Sequence, residues 1–351
     1  MEETPLIPPV KTGYIPEDPQ SLPQTGAPSF DVRTDLAVEE TDGRRQTSSM
    51  SGVTISEHTE KDAPIHVTRV VIENEIGAVA LHKPVGTYIT LEARRMTENS
   101  GSCHREISRC LARQLRVLLN TLKIQETPTI LAVGLGNDDV TPDALGPMVL
   151  DNLFINRHLR TGNFKIPAIQ DDAACVCGIV PGVMAQTGME TAEIIQALVR
   201  QIKPDLILAI DALAARSVTR LGTTIQISDT GIHPGSGVGN HRHALTRQSL
   251  GIPVIAIGVP TVVGAAAIVT DTLDTLIEVL RRETDTEDFA SVLSSMSTEE
   301  RYALVRELLE PRFGPMFVTP KDVDETVKRL SYTISEGINI AFFGEQADES
   351  G

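Results

Sequence analysis

The chain has no tryptophan, and its 4 Tyr and 8 Phe bring the aromatic share to only 3%. Its core must therefore be aliphatic. The hydrophobic content of 41% over 351 residues is ordinary for a globular fold, with room for one large α/β domain or two smaller ones. Positive charge is also scarce. Against 47 Asp and Glu stand 31 Lys and Arg, a formal net charge of -16. Such a surface repels phosphate and argues against non-specific binding to nucleic acid. It would suit a basic partner, although solubility alone accounts for it. Cysteine is limited to Cys103, Cys110, Cys175 and Cys177. Cys175 and Cys177 share one face of a predicted strand, but no second pair stands at ligand spacing, so no metal is assigned. No apolar run is long enough to span a bilayer. The N-terminus, MEETPLIPPVKTGYIPEDP, lacks the positive start and apolar core of a secretory signal. The expected compartment is reduced and cytoplasmic, with no membrane partner.

What is present begins with proline. Residues 1 to about 29 are proline-rich and aperiodic and read as a disordered arm. Apolar content first appears in Phe30–Glu39, and residues 40–63 then turn polar and read as a linker or surface loop. Strands are predicted at His66–Ile72, Gly77–Leu81 and Gly86–Leu91, as a small antiparallel patch. Helical spacing follows over 103–123. The central portion alternates strand and helix, with strands at Ile130–Leu135, Ala174–Val180, Leu206–Ile210, Thr223–Ile227 and Val254–Gly258. Helices are expected from Pro142, from about Gly188 (with Thr187 and Glu190 as a capping box), and from about Val262 to Leu280. Helical periodicity returns around Glu299–Leu309 and Lys321–Ile340. This alternation indicates an α/β fold, a mainly parallel twisted sheet with helices on both faces, with a small β-rich N-terminal portion and C-terminal helices.

In such sheets, sites form at the carboxyl ends of strands. Two acidic residues stand there. Asp143 follows Gly134-Leu-Gly-Asn137 and Thr141-Pro142, where it also fits the first turn of a helix. Asp211 ends the apolar run from Leu206 and must be paired, hydrogen-bonded or functional. Two such carboxylates can divide a proton, one activating water and the other serving a leaving group. As the aspartate nearer a helix start, Asp143 is the expected base. The Gly-rich stretch Ser228–His243 lacks the lysine of a phosphate loop and the spacing of a dinucleotide fingerprint. It is expected to hold an extended ligand through Gly235, Gly237 and their neighbours. Neither Ser217 nor Ser236 lies in a G-x-S-x-G elbow.

These residues sit in long ordered blocks, VGLGN…VTPDALGP, IVPGVMAQTGMET, AIDALAARS, IQISDTGIHPGSGVGN and GIPVIAIGVPTVV, flanked by RTDLAVE and MFVTPKDVDETV. Over about residues 30–343 they resemble the germination (spore) endopeptidase family of spore-forming bacteria. The resemblance implies a peptidase made as a zymogen during sporulation, a homotetramer in the forespore or spore core that cuts small acid-soluble spore proteins. It implies a sheet core similar to that of hydrogenase maturation proteases. The enzyme would be an atypical aspartic-type peptidase with no cofactor, its two aspartates matching Asp143 and Asp211. Family cleavage sites have an acidic residue, a large apolar residue and alanine. Asp35-Leu36-Ala37 has that form, so self-cleavage between Asp35 and Leu36 is implied, dividing a pro-segment (1–35) from a single peptidase domain (36–351).

The chain departs from the family at Gly264, where VPTVVDA is usual, and the segment Glu283–Ser297 is shortened. Arg216, His233 and Arg242 are candidate partners for the acidic residue of a substrate, because a charge-assisted bond holds a carboxylate best. Two alternatives stand beside this reading. One is a metal-dependent peptidase with Asp143, Asp211 and His233 as ligands. The other is a non-catalytic relative that binds spore proteins.

Overall fold

The computed structural model describes residues 34–42, 50–61, 63–161, 173–235, 243–282 and 296–345. All of these fall in one compact unit, Val32–Gly351. The proline-rich arm expected over residues 1–29 lies outside the described residues.

Among the described residues, nine strands form one sheet. They are β1 (Val53–Thr59), β2 (His66–Ile72), β3 (Gly86–Glu92), β4 (Thr129–Gly134), β5 (Cys175–Ile179), β6 (Leu206–Ala215), β7 (Thr224–Ser228), β8 (Val254–Gly264) and β9 (Phe317–Val318). The order is β1-β2-β3-β7-β8-β6-β4-β5, with β9 beside β8. Strands β8, β6, β4 and β5 are parallel, and the α/β expectation holds there. From β8 through β7, β3 and β2 to β1 every pairing is antiparallel.

The helices are α1 (Ala37–Asp42), α2 (Glu75–Leu81), α3 (Gly101–Thr121), α4 (Leu145–Asp151), α5 (Arg157–Thr161), α6 (Met184–Thr187), α7 (Thr191–Ile202), α8 (Arg247–Leu250), α9 (Ala265–Arg282), α10 (Thr298–Phe313) and α11 (Val323–Phe343). The first face of the sheet packs on α3, α4 and α11, through Ile107, Leu111, Leu145, Leu330 and Ile334. The second face packs on α7, α8, α9 and the segment leading into α1, through Ile195, Leu250, Ala267, Leu36 and Val38. The buried side chains are mostly Ile, Leu, Val and Ala, as a chain without tryptophan requires.

Several elements differ from the sequence expectation. Gly77–Leu81 is not a strand but the body of α2. Asn74 caps it, its side-chain oxygen accepting the Ile76 and Gly77 N–H groups, and His82 closes it in the left-handed conformation. The polar stretch read as linker contains β1. As the outermost strand it presents mostly exposed residues, so it has no apolar alternation to read. Thr187 ends α6, and Glu190, paired with Glu193, caps α7 instead. A short 3₁₀ turn at Thr141–Asp143 precedes α4, which begins only at Leu145. Strand β6 does not end at Asp211 but continues to Ala215. The apolar Ala212–Ala215 run stays extended because it pairs with β8.

Candidate active site

The end of β4 is built on close backbone approach. A Cβ at Gly134 would lie 2.5 Å from the Gly146 carbonyl oxygen, and one at Gly146 would lie 2.3 Å from that of Leu135. Glycine at both positions lets α4 touch the strand. Gly136 then turns with φ +112°, and a Cβ there would meet the Asp143 carbonyl oxygen at 1.9 Å. The loop folds back so that the Asn137 N–H donates to Asp143 Oδ2 at 2.8 Å. Asp143 is half-buried at the close of the 3₁₀ turn, not in the first turn of α4. The helix-dipole argument for its charge is thereby lost. The hydrogen bond from the Asn137 N–H still favours its ionised form.

Asp211 is 5% exposed. It stands where β6 outruns its neighbour: β4 pairs with β6 only as far as Gly134 opposite Ile210. Its Oδ1 accepts the Ala212 N–H at 2.9 Å. Asp143 and Asp211 line one cavity of about 360 Å³, together with Leu135, Gly136, Pro234, Gly235 and Thr261. Thr261 lies where the β6–β8 register shifts, and its hydroxyl donates to the Pro142 carbonyl at 2.6 Å. That bulge ties β8 to the turn carrying Asp143.

Asp35 lines the same cavity. Beyond Asp211 the edge of β6 left free by β4 receives the segment Thr34–Asp42. The Asp35 N–H donates to the Ala214 carbonyl at 3.0 Å, and Asp35 Oδ2 accepts the Ala214 N–H at 2.9 Å. Gln226 on β7 spans the next residues, its Nε2 donating to the Asp35 carbonyl at 3.0 Å and its Oε1 accepting the Ala37 N–H at 2.7 Å. Leu36 between them is 0% exposed. Further on, Glu39 is 1% exposed. Its carboxylate accepts the N–H groups of Arg216 at 2.8 Å and Ser217 at 2.9 Å, the Thr34 hydroxyl, and the Arg220 guanidinium at 3.5 Å.

Two basic groups stand beside this segment. Lys83 Nζ donates to the Thr34 carbonyl at 2.7 Å. Burial holds its ammonium below the ordinary lysine value, opposed by the charges of Asp35, Glu40 and Glu39. His233 keeps much of its surface accessible. Partial desolvation, then the Lys83 charge, lower its imidazole from the ordinary value, and Asp35 works the other way.

The structure thus joins Asp143, Asp211, Asp35 and Gly235 at one cavity. Arg216 is not at that cavity's acidic residue but holds Glu39, four residues on, its guanidinium also donating to the Glu39 carbonyl at 2.8 Å. His233 faces Asp35 and Lys83 and forms no ligand cluster with the two aspartates; among the described residues no group of three His, Cys, Asp or Glu side chains is placed to hold a metal ion. Gly237 and Arg242, with Ser236 and His241, lie outside the described residues. Gly264 faces open space, a Cβ there meeting only the Tyr302 hydroxyl at 3.9 Å. Sequence reasoning missed Glu39, Lys83 and Gln226. The alternation Thr224, Gln226, Ser228 between Ile225 and Ile227 was a signal for Gln226: a buried strand with one wholly polar face has something polar to hold.

Comparison with known proteins assigns the class. The family model described as germination protease matches residues 31–291. The germination protease of Clostridium perfringens (strain 13 / Type A) is 45% identical over 316 residues, covering 89% of this chain and 95% of that protein. That of Clostridium tetani is 46% identical over 314 residues, with 88% and 95% covered. That of Priestia megaterium is 38% identical over 360 residues, with 92% and 96% covered. The chain is therefore a protease, a hydrolase of peptide bonds. It belongs to the germination protease family.

Proposed function

We propose that this protein is a spore endopeptidase whose water is activated between Asp143 and Asp211, and that it is made with an N-terminal pro-segment removed at Asp35–Leu36. The observation that supports this reading is the shared cavity. Asp35, the residue at which the resemblance implies self-cleavage, lines the same space as the two aspartates and is tied to the free edge of β6. Asp143, the better hydrated of the two, takes a proton from the attacking water. Water oxygen bonds to the peptide carbonyl carbon, the C–N bond breaks, and Asp211 supplies the proton that leaves with the amine. No cofactor enters this scheme.

The substrates are small acid-soluble spore proteins in the spore core, cut after an acidic residue that precedes a large apolar residue and alanine. The docked Thr34–Asp42 segment is an internal copy of such a sequence. It fills the seat a substrate needs, which accounts for a zymogen. The homotetramer would bury apolar side chains that α10 and β9 leave exposed, among them Leu308, Phe313 and Val318. Among the described residues no helix is long and apolar enough to cross a membrane.

A peptide containing Glu-Ile-Ala tests the activity. Wild-type protein is expected to release products that begin with Ile, and Asp143→Asn and Asp211→Asn to release none while unfolding at the wild-type temperature. Full activity in either variant would remove that residue from the mechanism. Binding without product in the wild type would favour the non-catalytic alternative.

A further inference from the structure

The geometry points to Gln226 as the group that clamps and polarises the scissile carbonyl. This inference depends on reading Asp35–Leu36 as the bond that is cut. Gln226 is 8% exposed on β7. Its amide straddles that bond, with Nε2–H on the Asp35 carbonyl oxygen at 3.0 Å and Oε1 on the Ala37 N–H at 2.7 Å. Because one end faces an acceptor and the other a donor, these contacts permit a single amide orientation. Gln226 is paired across the sheet with Gly258, and Gly258 with Asp211, so the amide and the buried carboxylate stand in one row of three strands. The residue between them carries no side chain, and the Leu213 side chain fills the space over it.

The chemistry needs a donor at that place. When water attacks the Asp35 carbonyl carbon, the carbonyl oxygen takes up the electron pair and becomes an oxyanion. When the C–N bond to Leu36 breaks, the pair returns to re-form the C=O bond, and the amine leaves with a proton. A fixed N–H aimed at that oxygen lowers the barrier without moving, because its dipole is already oriented. The hydrogen bond to Ala37 N–H, on the leaving side, fixes the other end of the amide and stops it rotating away. The surroundings favour a ligand-holding role. Thr68 and Thr90 lie in the same cross-strand row as Gln226, and their buried hydroxyls have no hydrogen-bond partner among the described residues.

A glutamine that only anchors the segment would act on binding. One that polarises the carbonyl acts on the chemical step. The two are separated by steady-state kinetics on a peptide with the sequence Thr34–Glu40, added to the full chain after incubation has produced the Leu36 terminus, since before that cut the docked segment fills the seat. Gln226→Glu keeps an acceptor for the Ala37 N–H but has no donor for the carbonyl. Its kcat is expected to fall about 100-fold to 1000-fold, with KM changed by less than about tenfold. Gln226→Met, of similar volume and with neither donor nor acceptor, guards against a folding defect in the charged variant, and its kcat is expected to fall by a similar factor. Thermal unfolding of both variants reports the fold. A kcat within about threefold of wild type in either folded variant, whatever its KM, would overturn the role of Gln226 and leave the cleavage reading standing. A wild-type protein that leaves the peptide whole would overturn the cleavage reading itself.

Discussion

At the residue scale the site is decided by how each buried carboxylate is satisfied. Glu39 accepts two backbone N–H groups, a hydroxyl and a guanidinium in a pocket closed to water. Removing the carboxylate leaves the Arg216 and Ser217 N–H groups without this acceptor, while Arg220 keeps its ion pair with Glu92. Leaving a buried donor unsatisfied costs about 1–3 kcal/mol. Glu39→Ala is therefore expected to lower stability by about that amount and to expose the segment near Asp35 to an added protease, as chemical denaturation and limited proteolysis would record. An unchanged denaturation midpoint would contradict the anchoring role. His233 gives a pH signature. Its folded pKa lies below the ordinary value of 6.5, so between the two the unfolded chain binds more protons. Stability should rise with pH through that window and be lost on acidification. His233→Gln should flatten this part of the profile of Tm against pH, and a profile of unchanged slope would refute the assignment. That Asp143 and Asp211 would stand together was legible from the two apolar runs, Ile130–Leu135 and Leu206–Ile210, that lead toward one cavity. Gln226 and Lys83 were not, because their partners lie far away in sequence and a single Gln or Lys carries no spacing.

At the element scale the cavity depends on α4 lying against the ends of β4 and β6. Gly146 is the contact point. A methyl there would stand 2.3 Å from the Leu135 carbonyl oxygen and 2.6 Å from that of Ile210. These are backbone atoms and cannot turn aside. Gly146→Ala is expected to cost about 1–3 kcal/mol and to lower activity more than that loss of folded protein explains, because the turn bearing Asp143 moves with α4. Activity measured per folded molecule tests this. The buried parallel strands were readable from their unbroken apolar runs. β1 and α2 were not. β1 is exposed on both faces along most of its length, so beyond Val53 and Ile55 it shows no apolar alternation. A seven-residue helix of small and β-branched residues, Glu75–Leu81, resembles a strand until its cap, Asn74, is noticed.

On the scale of the whole molecule, the chain holds one of its own segments beside the cavity that Asp143 and Asp211 line. The parallel half of the sheet supplies Asp143 and Asp211, the antiparallel half supplies Gln226, and the N-terminal segment crosses between them. Composition predicted an aliphatic α/β body but contained nothing of this crossing. Arg216 illustrates why. Its charge was recognisable as a carboxylate partner, but which carboxylate depends on a contact spanning 177 positions of sequence. The proposal of a self-presented cleavage site is tested most directly by N-terminal sequencing of the full chain after incubation, wild type beside Asp211→Asn. The expected result is a new terminus at Leu36 in the wild type and none in the variant. A Leu36 terminus that appears equally in both, or a wild-type chain that stays whole under conditions where it cuts a spore-protein peptide, would contradict it.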